Sequence, residues 1–381
     1  MHLWKRLVFR YNIFGTEILF RTGVKMIYYL GQWLSSFWGP ARLFQSYGIL
    51  IVVALYLGFF FVWKFLPKFY KFLPSDRGRE FTLTAEAAKG KPTGSGVVFI
   101  TIFVVICLLL IPLNLQQGGI LVLTWLMMLT GYLDDRSEKG WGEYRKAILD
   151  MLISVAAACL LAYTISRDSP DGKIYFWLPF VTNPVSVTVW LYVVITTILL
   201  WVSVNTTNCT DGVDGLSSSL VLLALIIMGV ILYAILGHVE IAKYLLVPHL
   251  ERGASWAVMT FCLTGVLMGY LWRNAYPSQV LMGDAGSRAM GFYMGVCVMI
   301  TGNPFIFLAT SSIIFINGGM GLLKVALKRF LHITIFKNVR FPLHDHVRKN
   351  RGWSPTQVLV KFIILQLLIS VAVLGLFLKI R

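Results

Sequence analysis

Aspartates, asparagines and histidines stand in short clusters along this 381-residue chain. Asp134 and Asp135 are adjacent, and neighbouring carboxylates repel each other unless a cation offsets their charge. Mg²⁺ is a hard ion that binds one or two carboxylates and leaves its other positions to water and phosphate oxygens. The pair therefore indicates a magnesium-assisted phosphate site. A solvated helix end beside Arg136 is the alternative, and the pair alone does not choose between them.

Residues 205–215 form the most informative cluster. They read Asn-Thr-Thr-Asn-Cys-Thr-Asp-Gly-Val-Asp-Gly and include no Lys or Arg. Asp and Asn side chains bond back to backbone groups and Gly permits positive φ, so such a loop can present N–H groups and carboxylates to one ligand. Asp214 could instead cap the helix that follows, but this would leave Asp211 and Asn208 unexplained.

Three further stretches could contact a nucleotide or a phosphate. Gly283-Asp284-Ala-Gly-Ser287 is typical of a helix N-terminus, where free N–H groups suit a phosphate, although Asp284 could be a simple cap. Asn274 could hydrogen-bond a base or a sugar, or only mark a membrane boundary. The stretch 89–96 reads Lys-Gly-Lys-Pro-Thr-Gly-Ser-Gly; it lacks the Walker A order but could contact a phosphate.

His344 and His346 flank Asp345. A zinc site would need further nitrogen or sulfur ligands, and the nearby sequence supplies none. Diphosphate contact or acid–base work is possible because histidine titrates near neutral pH. Two solvated loop histidines are the alternative.

Elements that cross a membrane must position these clusters. The chain is 57% hydrophobic and 13% charged, whereas soluble domains are roughly half apolar and about a quarter charged. A helical span needs about 20 largely apolar residues. We therefore predict an all-α integral membrane protein with about ten transmembrane helices, at roughly 47–66, 96–113, 118–133, 147–165, 187–204, 216–236, 255–272, 285–302, 304–327 and 357–379.

The distribution of Lys and Arg orients these spans. Seven lie from Lys64 to Lys91 and seven from Lys328 to Arg351, whereas the loops on the opposite side hold four in total. The basic side is therefore predicted to be cytoplasmic, and every polar cluster falls on it. The formal charge of +17 is explained in this way, and the pattern argues against nucleic-acid binding.

The ends and loops add smaller predictions. Residues 1–46 are basic and aromatic, which predicts an interfacial helix, with an additional span near 23–43 as the alternative; the transmembrane domain is 47–381. Residues 174–183 could form a hairpin on the outer side. No C-x-x-C pair is present among the five cysteines, so we expect no disulfide framework.

Taken together, the motifs resemble the polyprenyl-phosphate N-acetylhexosamine 1-phosphate transferases, and most closely the phospho-N-acetylmuramoyl-pentapeptide transferase branch. The matching stretches run in the family's order from residue 11 to the last span: 11–14 with 20–22, 89–96, 131–135, 139–140, 205–216, 277–287 and 342–346 followed by 352–353. The resemblance implies ten spans, a cytoplasmic site in a bacterial inner membrane, Mg²⁺, UDP-N-acetylmuramoyl-pentapeptide and undecaprenyl phosphate as substrates, UMP as by-product, and a homodimer.

The resemblance also assigns roles residue by residue. Asp284 falls on the metal-ligand position. Catalytic or essential polar positions fall on Asp134, Asp135, Asp284, Asp211, Asn208, His344, His346 and Lys139. The substrate-binding positions, mostly around uridine, fall on Gly212, Val213, Asp214, Asn274, Leu281 and Lys89. The sequence departs from the family at Asp345, where the family has a histidine, at Leu281, where it has an aromatic residue, at Lys89, which stands one position late, and at Lys139, whose match needs a gap.

Two other functions compete with this one. A sibling transferase that uses UDP-N-acetylglucosamine would carry many of the same motifs, and a donor-substrate assay separates the two. An anion or metal transporter would place its polar groups near the bilayer midplane, often within inverted repeats. Here the aspartates lie at one boundary and no repeat is visible. For the transferase, attack by the lipid phosphate and a covalent aspartyl intermediate are both open.

Overall fold

The computed structural model describes residues 35–78, 89–181 and 183–379, and these residues are mostly helical. Short 3₁₀ helices occupy Gly39–Gln45 and Tyr70–Phe72, and π-helical turns occupy Ile231–Ile235 and Phe315–Gly319. The α-helices are α1 (Tyr47–Phe69), α2 (Gly96–Leu110), α3 (Leu115–Arg136), α4 (Glu143–Asp168), α5 (Val189–Thr210), α6 (Leu216–Val230), α7 (Val239–Tyr244), α8 (Gly253–Asn274), α9 (Gly283–Ile300), α10 (Ile306–Ile314), α11 (Met320–Phe330), α12 (Leu343–Arg351) and α13 (Pro355–Lys379).

The prediction of an all-α membrane protein is confirmed. Within the described residues, seven helical segments are long and apolar enough to cross a membrane: Tyr47–Phe72, Glu143–Asp168, Val189–Thr210, Leu216–Ile235, Gly253–Asn274, Ile306–Phe330 and Pro355–Leu378. The other three predicted spans correspond to α2, α3 and α9, which are helical but shorter or less apolar. The total of ten spans stays a prediction.

Helix α9 is the central element of the bundle. Every residue from Gly283 to Ile300 is buried, and the helix packs against α2, α3 and α5. A helix surrounded on all sides must be apolar or small around its circumference, and α9 carries Gly, Ala, Met, Val and Phe on all faces. The charged residues of its first two turns, Asp284 and Arg288, are therefore exceptions that need partners.

The polar clusters meet at one end of the bundle. The last turns of α3, α5 and α8 and the first turns of α2, α4, α6 and α9 contact one another there. Each chain segment reverses direction between neighbouring helices, so residues far apart in sequence share this end. The α12 helix approaches the same end through the π-helical turn Phe315–Gly319.

Two predicted loop boundaries are wrong. Residues 205–210 are helical, because α5 continues to Thr210; Thr210 and Asn205 bond back to carbonyls of their own helix, which keeps these polar residues within it. Residues 143–146 are also helical, because α4 begins at Glu143. The hairpin prediction is confirmed, although its second strand lies further along: β1 (Ile174–Phe176) pairs antiparallel with β2 (Val185–Val187).

Two other predictions concern the N-terminal segment and the cysteines. Residues 1–34 lie outside the described residues, so both predictions made for residues 1–46 and 23–43 fall largely there. The 3₁₀ helix of residues 39–45 belongs to that segment and buries only Ala41. All five cysteines are free.

Candidate active site

Asp135 caps the central helix from a neighbouring element. Its two carboxylate oxygens accept the backbone N–H groups of Asp284 and Ala285, each at 3.0 Å. The first N–H groups of a helix have no partner within it, and its dipole favours a negative charge there. Asp135 therefore fixes the start of α9 to the end of α3. The N–H groups that the sequence offered to a phosphate are bonded to this carboxylate instead.

Lys146 lies between two carboxylates. Its Nζ pairs with Asp134 and lies 3.0 Å from Oδ2 of Asp284. Asp134 also accepts the backbone N–H of Trp141, so the loop after α3 folds back over the pair. Asp134 and Asp284 are 6% and 4% exposed, so the ammonium group offsets two largely buried charges.

Three glycines allow the helix ends to come this close. A Cβ on Gly131 would overlap the carbonyl of Asp284, and one on Gly96 would overlap the backbone at Gly286. Gly283 has φ of +67°, and a side chain there would overlap the Asp135 carboxylate. These positions therefore hold the aspartates at contact distance.

A second charge pair lies one helical turn below Lys146. Arg288 of α9 donates through Nε at 3.1 Å and through Nη2 to Oδ1 of Asp150 in α4. Both side chains are 2% exposed. Asp150 lies four residues after Lys146, and Arg288 lies four residues after Asp284. Helices α4 and α9 therefore face each other through two pairs of opposite charge: Lys146 with Asp284, the upper pair, and Asp150 with Arg288, the lower pair.

The predicted uridine loop joins the segment that precedes α9. Asp214 does not cap α6, which starts after Gly215 without a side-chain cap. Its Oδ2 instead accepts the backbone N–H of Ser278 at 3.0 Å. Lys91 donates to the Ser278 hydroxyl at 3.0 Å and lies 3.9 Å from the Asp214 carboxylate. Asp214, Ser278 and Lys91 thus form one polar group at the rim of the site.

Asn274 connects the same two segments from within. It is 3% exposed; its Oδ1 accepts the backbone N–H of Gly215 at 3.0 Å and its Nδ2 donates to the Val280 carbonyl at 2.9 Å. A buried amide with these partners holds the two segments at a fixed separation. Val213, two residues before Gly215, is also buried, at 5% exposure.

Asn208 and Asp211 end helix α5 beside the first turn of α9. The Asn208 amide donates to the hydroxyl of Ser287 at 3.2 Å. Asp211 follows the last helical residue, and its backbone N–H donates to the Asn208 carbonyl at 3.1 Å. Asn208 therefore lies one turn from Asp284 along α9, and Asp211 follows it at the end of α5.

His344 packs against the turn that contains Gly212. A Cβ on Gly212 would overlap its Nε2. Asn317, fully buried in the π-helical turn, accepts the His344 backbone N–H at 2.8 Å, and its Nδ2 lies 3.1 Å from the ring Nδ1. The Oδ1 of Asn317 also lies 3.2 Å from the ring Nδ1, so this amide can hydrogen-bond to either tautomer of the ring. Burial, helped by the nearby Arg348 charge, lowers the pKa of His344 to about 3, so the ring is neutral at pH 7.

His346 lies on the other side of α12. Residues two apart are separated by about 200° around a helix, so His344 and His346 do not converge on one ligand. His346 accepts the backbone N–H of Arg340 at 3.2 Å. Asp345, between them, is 5% exposed; burial raises its pKa, and Arg340 and Arg348 oppose the rise.

The remaining predicted residues lie at the edge. Lys89 and Lys139 are exposed on the loops before α2 and after α3. Leu281 joins the site through its backbone: its N–H donates to the Pro92 carbonyl at 2.8 Å and its carbonyl accepts the Ser95 N–H at 3.2 Å. The structure therefore brings Asp134, Asp135, Asp284 and Asn208 together, places Asp211 just after Asn208 at the end of α5, and leaves the two lysines outside this group.

The donor set fits a hard divalent cation. The Lys146 ammonium already stands between Asp134 and Asp284, and these carboxylates are the oxygen ligands that Mg²⁺ prefers. Within the described ranges no three His, Cys, Asp or Glu side chains form a metal-binding group. One or two protein carboxylates are the usual number for Mg²⁺ at phosphate sites, so two suffice.

Comparison with known proteins identifies the family. The Glycosyl transferase family 4 profile matches residues 118–302, which include the carboxylate cluster. The phospho-N-acetylmuramoyl-pentapeptide-transferase of Treponema pallidum (strain Nichols) is 54% identical over 350 residues, covering 92% of this chain and 95% of that protein. The chain belongs to the phospho-N-acetylmuramoyl-pentapeptide-transferase family. The protein of the same name from Wolinella succinogenes is 29% identical over 89% of this chain and 97% of its own length. The one from Aquifex aeolicus is 27% identical over 93% of this chain and 100% of its own length.

Three residues that the structure places at the site were not singled out from the sequence, although one of them, Lys91, lies in the predicted phosphate-contact stretch 89–96. Lys146 and Lys91, rather than Lys139 and Lys89, pair with its aspartates. Asn317 holds His344. The spacing of Lys146 and Asp150, four residues apart at the start of an apolar helix, was the available signal for the first of these, because charges at that position need partners.

Proposed function

We propose that this protein transfers phospho-N-acetylmuramoyl-pentapeptide from its UDP-linked donor to undecaprenyl phosphate, giving the first lipid-linked peptidoglycan precursor and UMP. The observation that carries the proposal is the group of Asp134, Asp135 and Asp284 around Lys146 at the end of a membrane bundle. Such a group can bind anionic phosphates and offset their charge at the membrane boundary. The names of the relatives supply the substrate class.

Mg²⁺ is part of the proposal. Four carboxylates (Asp134, Asp135, Asp150 and Asp284) face two cations (Lys146 and Arg288), which leaves a formal excess of two negative charges. A divalent ion would balance this excess. Asp284 and Asp134 would hold it, and the ion would offset the negative charge of the diphosphate as the leaving group departs.

The chain's own residues position and screen the reacting groups. Phosphoryl transfer depends mainly on position and charge stabilisation. An oxygen of the lipid phosphate forms a bond to the sugar-bearing phosphorus, and the bond from that phosphorus to the bridging oxygen of UMP breaks. Lys146 offsets charge beside Asp284, while Asp135 fixes the α9 turn that carries Asp284. His344 is neutral and its Nε2 lies against Gly212, so in the tautomer with the proton on Nε2 the ring can donate a hydrogen bond to a phosphate oxygen there.

The nucleotide end is assigned to the segments around Asp214. Asn274 and Asp214 tie residues 211–215 to residues 277–281, and these two segments form the rim where the uridine would bind. Leu281 offers a smaller apolar surface than an aromatic ring would. The site is proposed to face the cytoplasm from a bacterial inner membrane, and a homodimer is expected from the family resemblance.

Release of UMP is the decisive assay. Purified protein is given UDP-N-acetylmuramoyl-pentapeptide with or without undecaprenyl phosphate, and with Mg²⁺ or EDTA. UMP is expected only when donor, lipid phosphate and Mg²⁺ are all present, and UDP-N-acetylglucosamine is expected to give none. If the protein turns over UDP-N-acetylglucosamine and not UDP-N-acetylmuramoyl-pentapeptide, the muramoyl assignment is wrong. UMP exchange without the lipid, or a trapped phospho-enzyme, would replace direct attack by a covalent route.

A further inference from the structure

Two neighbouring helices carry matched charge pairs of opposite order. Helix α4 presents Lys146 and then Asp150, and α9 presents Asp284 and then Arg288, each four residues apart. Both helices run away from the site, so Lys146 meets Asp284 and Asp150 meets Arg288. The lower pair makes no direct contact with the rim or with the cap at Asp135.

Because the lower pair is buried, its desolvation offsets most of the stability that its attraction contributes. Both side chains are 2% exposed, and Nη1 of Arg288 is buried without a hydrogen-bond partner among the described residues. Desolvation of two charges cancels much of their attraction, and apolar residues of similar volume are often as stable. The pair therefore calls for a function besides holding α4 against α9.

The lower pair bears on which carboxylate Lys146 contacts. A Lys and an Asp four residues apart on one helix are neighbours and attract each other. Lys146 nevertheless pairs with Asp134 and Asp284 on other helices. Both Arg288 hydrogen bonds reach Oδ1 of Asp150, so the guanidinium offsets the Asp150 charge and weakens its attraction for Lys146.

We propose that Arg288 and Asp150 are positioning residues that hold the Lys146 ammonium between Asp134 and Asp284, in the place that a divalent cation would take. The inference rests on the proposed cation site. When Arg288 is lost, Lys146 turns to Asp150, its neighbour on α4. The Asp134 and Asp284 carboxylates then lose their competing ammonium group and bind a divalent cation more tightly, while the transfer reaction loses its lysine.

Mn²⁺ binding to the detergent-solubilised protein, without substrates, tests this. Free Mn²⁺ is measured by electron paramagnetic resonance for wild type, Arg288→Met, Lys146→Met and the double variant. Arg288→Met is expected to lower the Mn²⁺ dissociation constant at least about threefold, the coupling typical of contacting residues. Lys146→Met should lower it as well, and Arg288→Met should add little to Lys146→Met because the competing ammonium is already gone.

A matched variant separates this effect from the loss of a positive charge. Arg288→Met/Asp150→Asn removes both buried charges, so Lys146 has no carboxylate to turn to on α4. Its Mn²⁺ affinity is expected to return to within about twofold of wild type, because it retains the upper pair. Arg288→Gln, which keeps a hydrogen bond to Asp150 but not the charge, is measured in the same way in case Arg288→Met does not fold.

The outcomes are distinct. If Arg288→Met lowers the Mn²⁺ dissociation constant equally in wild type and in Lys146→Met, the cause is the loss of a positive charge and not a movement of Lys146. That result would overturn the inference. Weaker Mn²⁺ binding together with a lower melting temperature, in both Arg288→Met and Arg288→Gln, would show a structural role only. If neither wild type nor Lys146→Met binds Mn²⁺, the proposed cation site is wrong, and the inference that rests on it is wrong as well.

Discussion

Removal of the Asp135 carboxylate tests whether this residue acts as the cap of α9. Asp135→Ala leaves the N–H groups of Asp284 and Ala285 without acceptors at a buried helix start. A lost cap costs about 1 kcal/mol and a hydrogen bond to a charged group about 1.5–3 kcal/mol, so the two together predict a loss of about 2.5–4 kcal/mol. Asp135→Asn retains one acceptor oxygen and should lose about half as much.

Thermal unfolding in detergent and UMP release, measured on the same preparations, give the result. Asp135→Ala is expected to lower the melting temperature by several degrees and to lower turnover, because the first turn of α9 carries Asp284. Asp135→Asn should fall between it and wild type in both measurements. Asp168→Asn, which removes an exposed ion pair with Arg252, is the control and should change stability by less than about 0.5 kcal/mol.

One result would refute this reasoning. If Asp135→Ala and Asp135→Asn both abolish turnover while the melting temperature stays at the wild-type value, the carboxylate acts on substrate and not as a cap. That result would favour Asp135 as the group that deprotonates or attacks a phosphate.

Three further predictions follow from the site. Asp284→Asn should abolish Mg²⁺-dependent UMP release without a large change in melting temperature; near-normal turnover would refute the metal assignment. Gly283→Ala should lower stability and turnover together because φ is +67° and the Cβ would overlap a carboxylate, whereas Gly142→Ala, with open space around it, should leave turnover unchanged. Because the pKa of His344 is lowered to about 3, wild type should lose up to about 1.4 kcal/mol of stability per pH unit as pH falls below about 6.5, and His344→Gln should flatten this loss in pH-dependent melting.

The direction of the pH effect follows from proton binding. The unfolded chain takes up a proton at His344 below about pH 6.5, whereas the folded chain does not until near pH 3. Acid therefore favours unfolding between these values, and the stabilisation is fully present only above about pH 6.5. A melting temperature that rises on acidification through this window, and does so less in His344→Gln, would contradict the buried neutral ring.

The sequence by itself determined the helical membrane class and the residues of the carboxylate cluster. Apolar segments of about 20 residues fix the class, because a backbone in lipid must satisfy its hydrogen bonds internally. Asp134, Asp135 and Asp284 stood out because charges at the ends of such segments are costly. The resemblance to the transferase family placed these motifs in one order along the chain. The Treponema pallidum relative aligns with most of the chain.

Only the tertiary structure decided which side chains meet. Asp134 and Asp135 are adjacent in sequence, yet one pairs with Lys146 and the other caps α9, because successive residues of a helix point about 100° apart. The spacing of Lys146 and Asp150 indicates that both charges need partners, but which lysine reaches which aspartate depends on where each helix begins. Contacts between helix ends more than a hundred residues apart arise from packing across the bundle, and no local pattern encodes them.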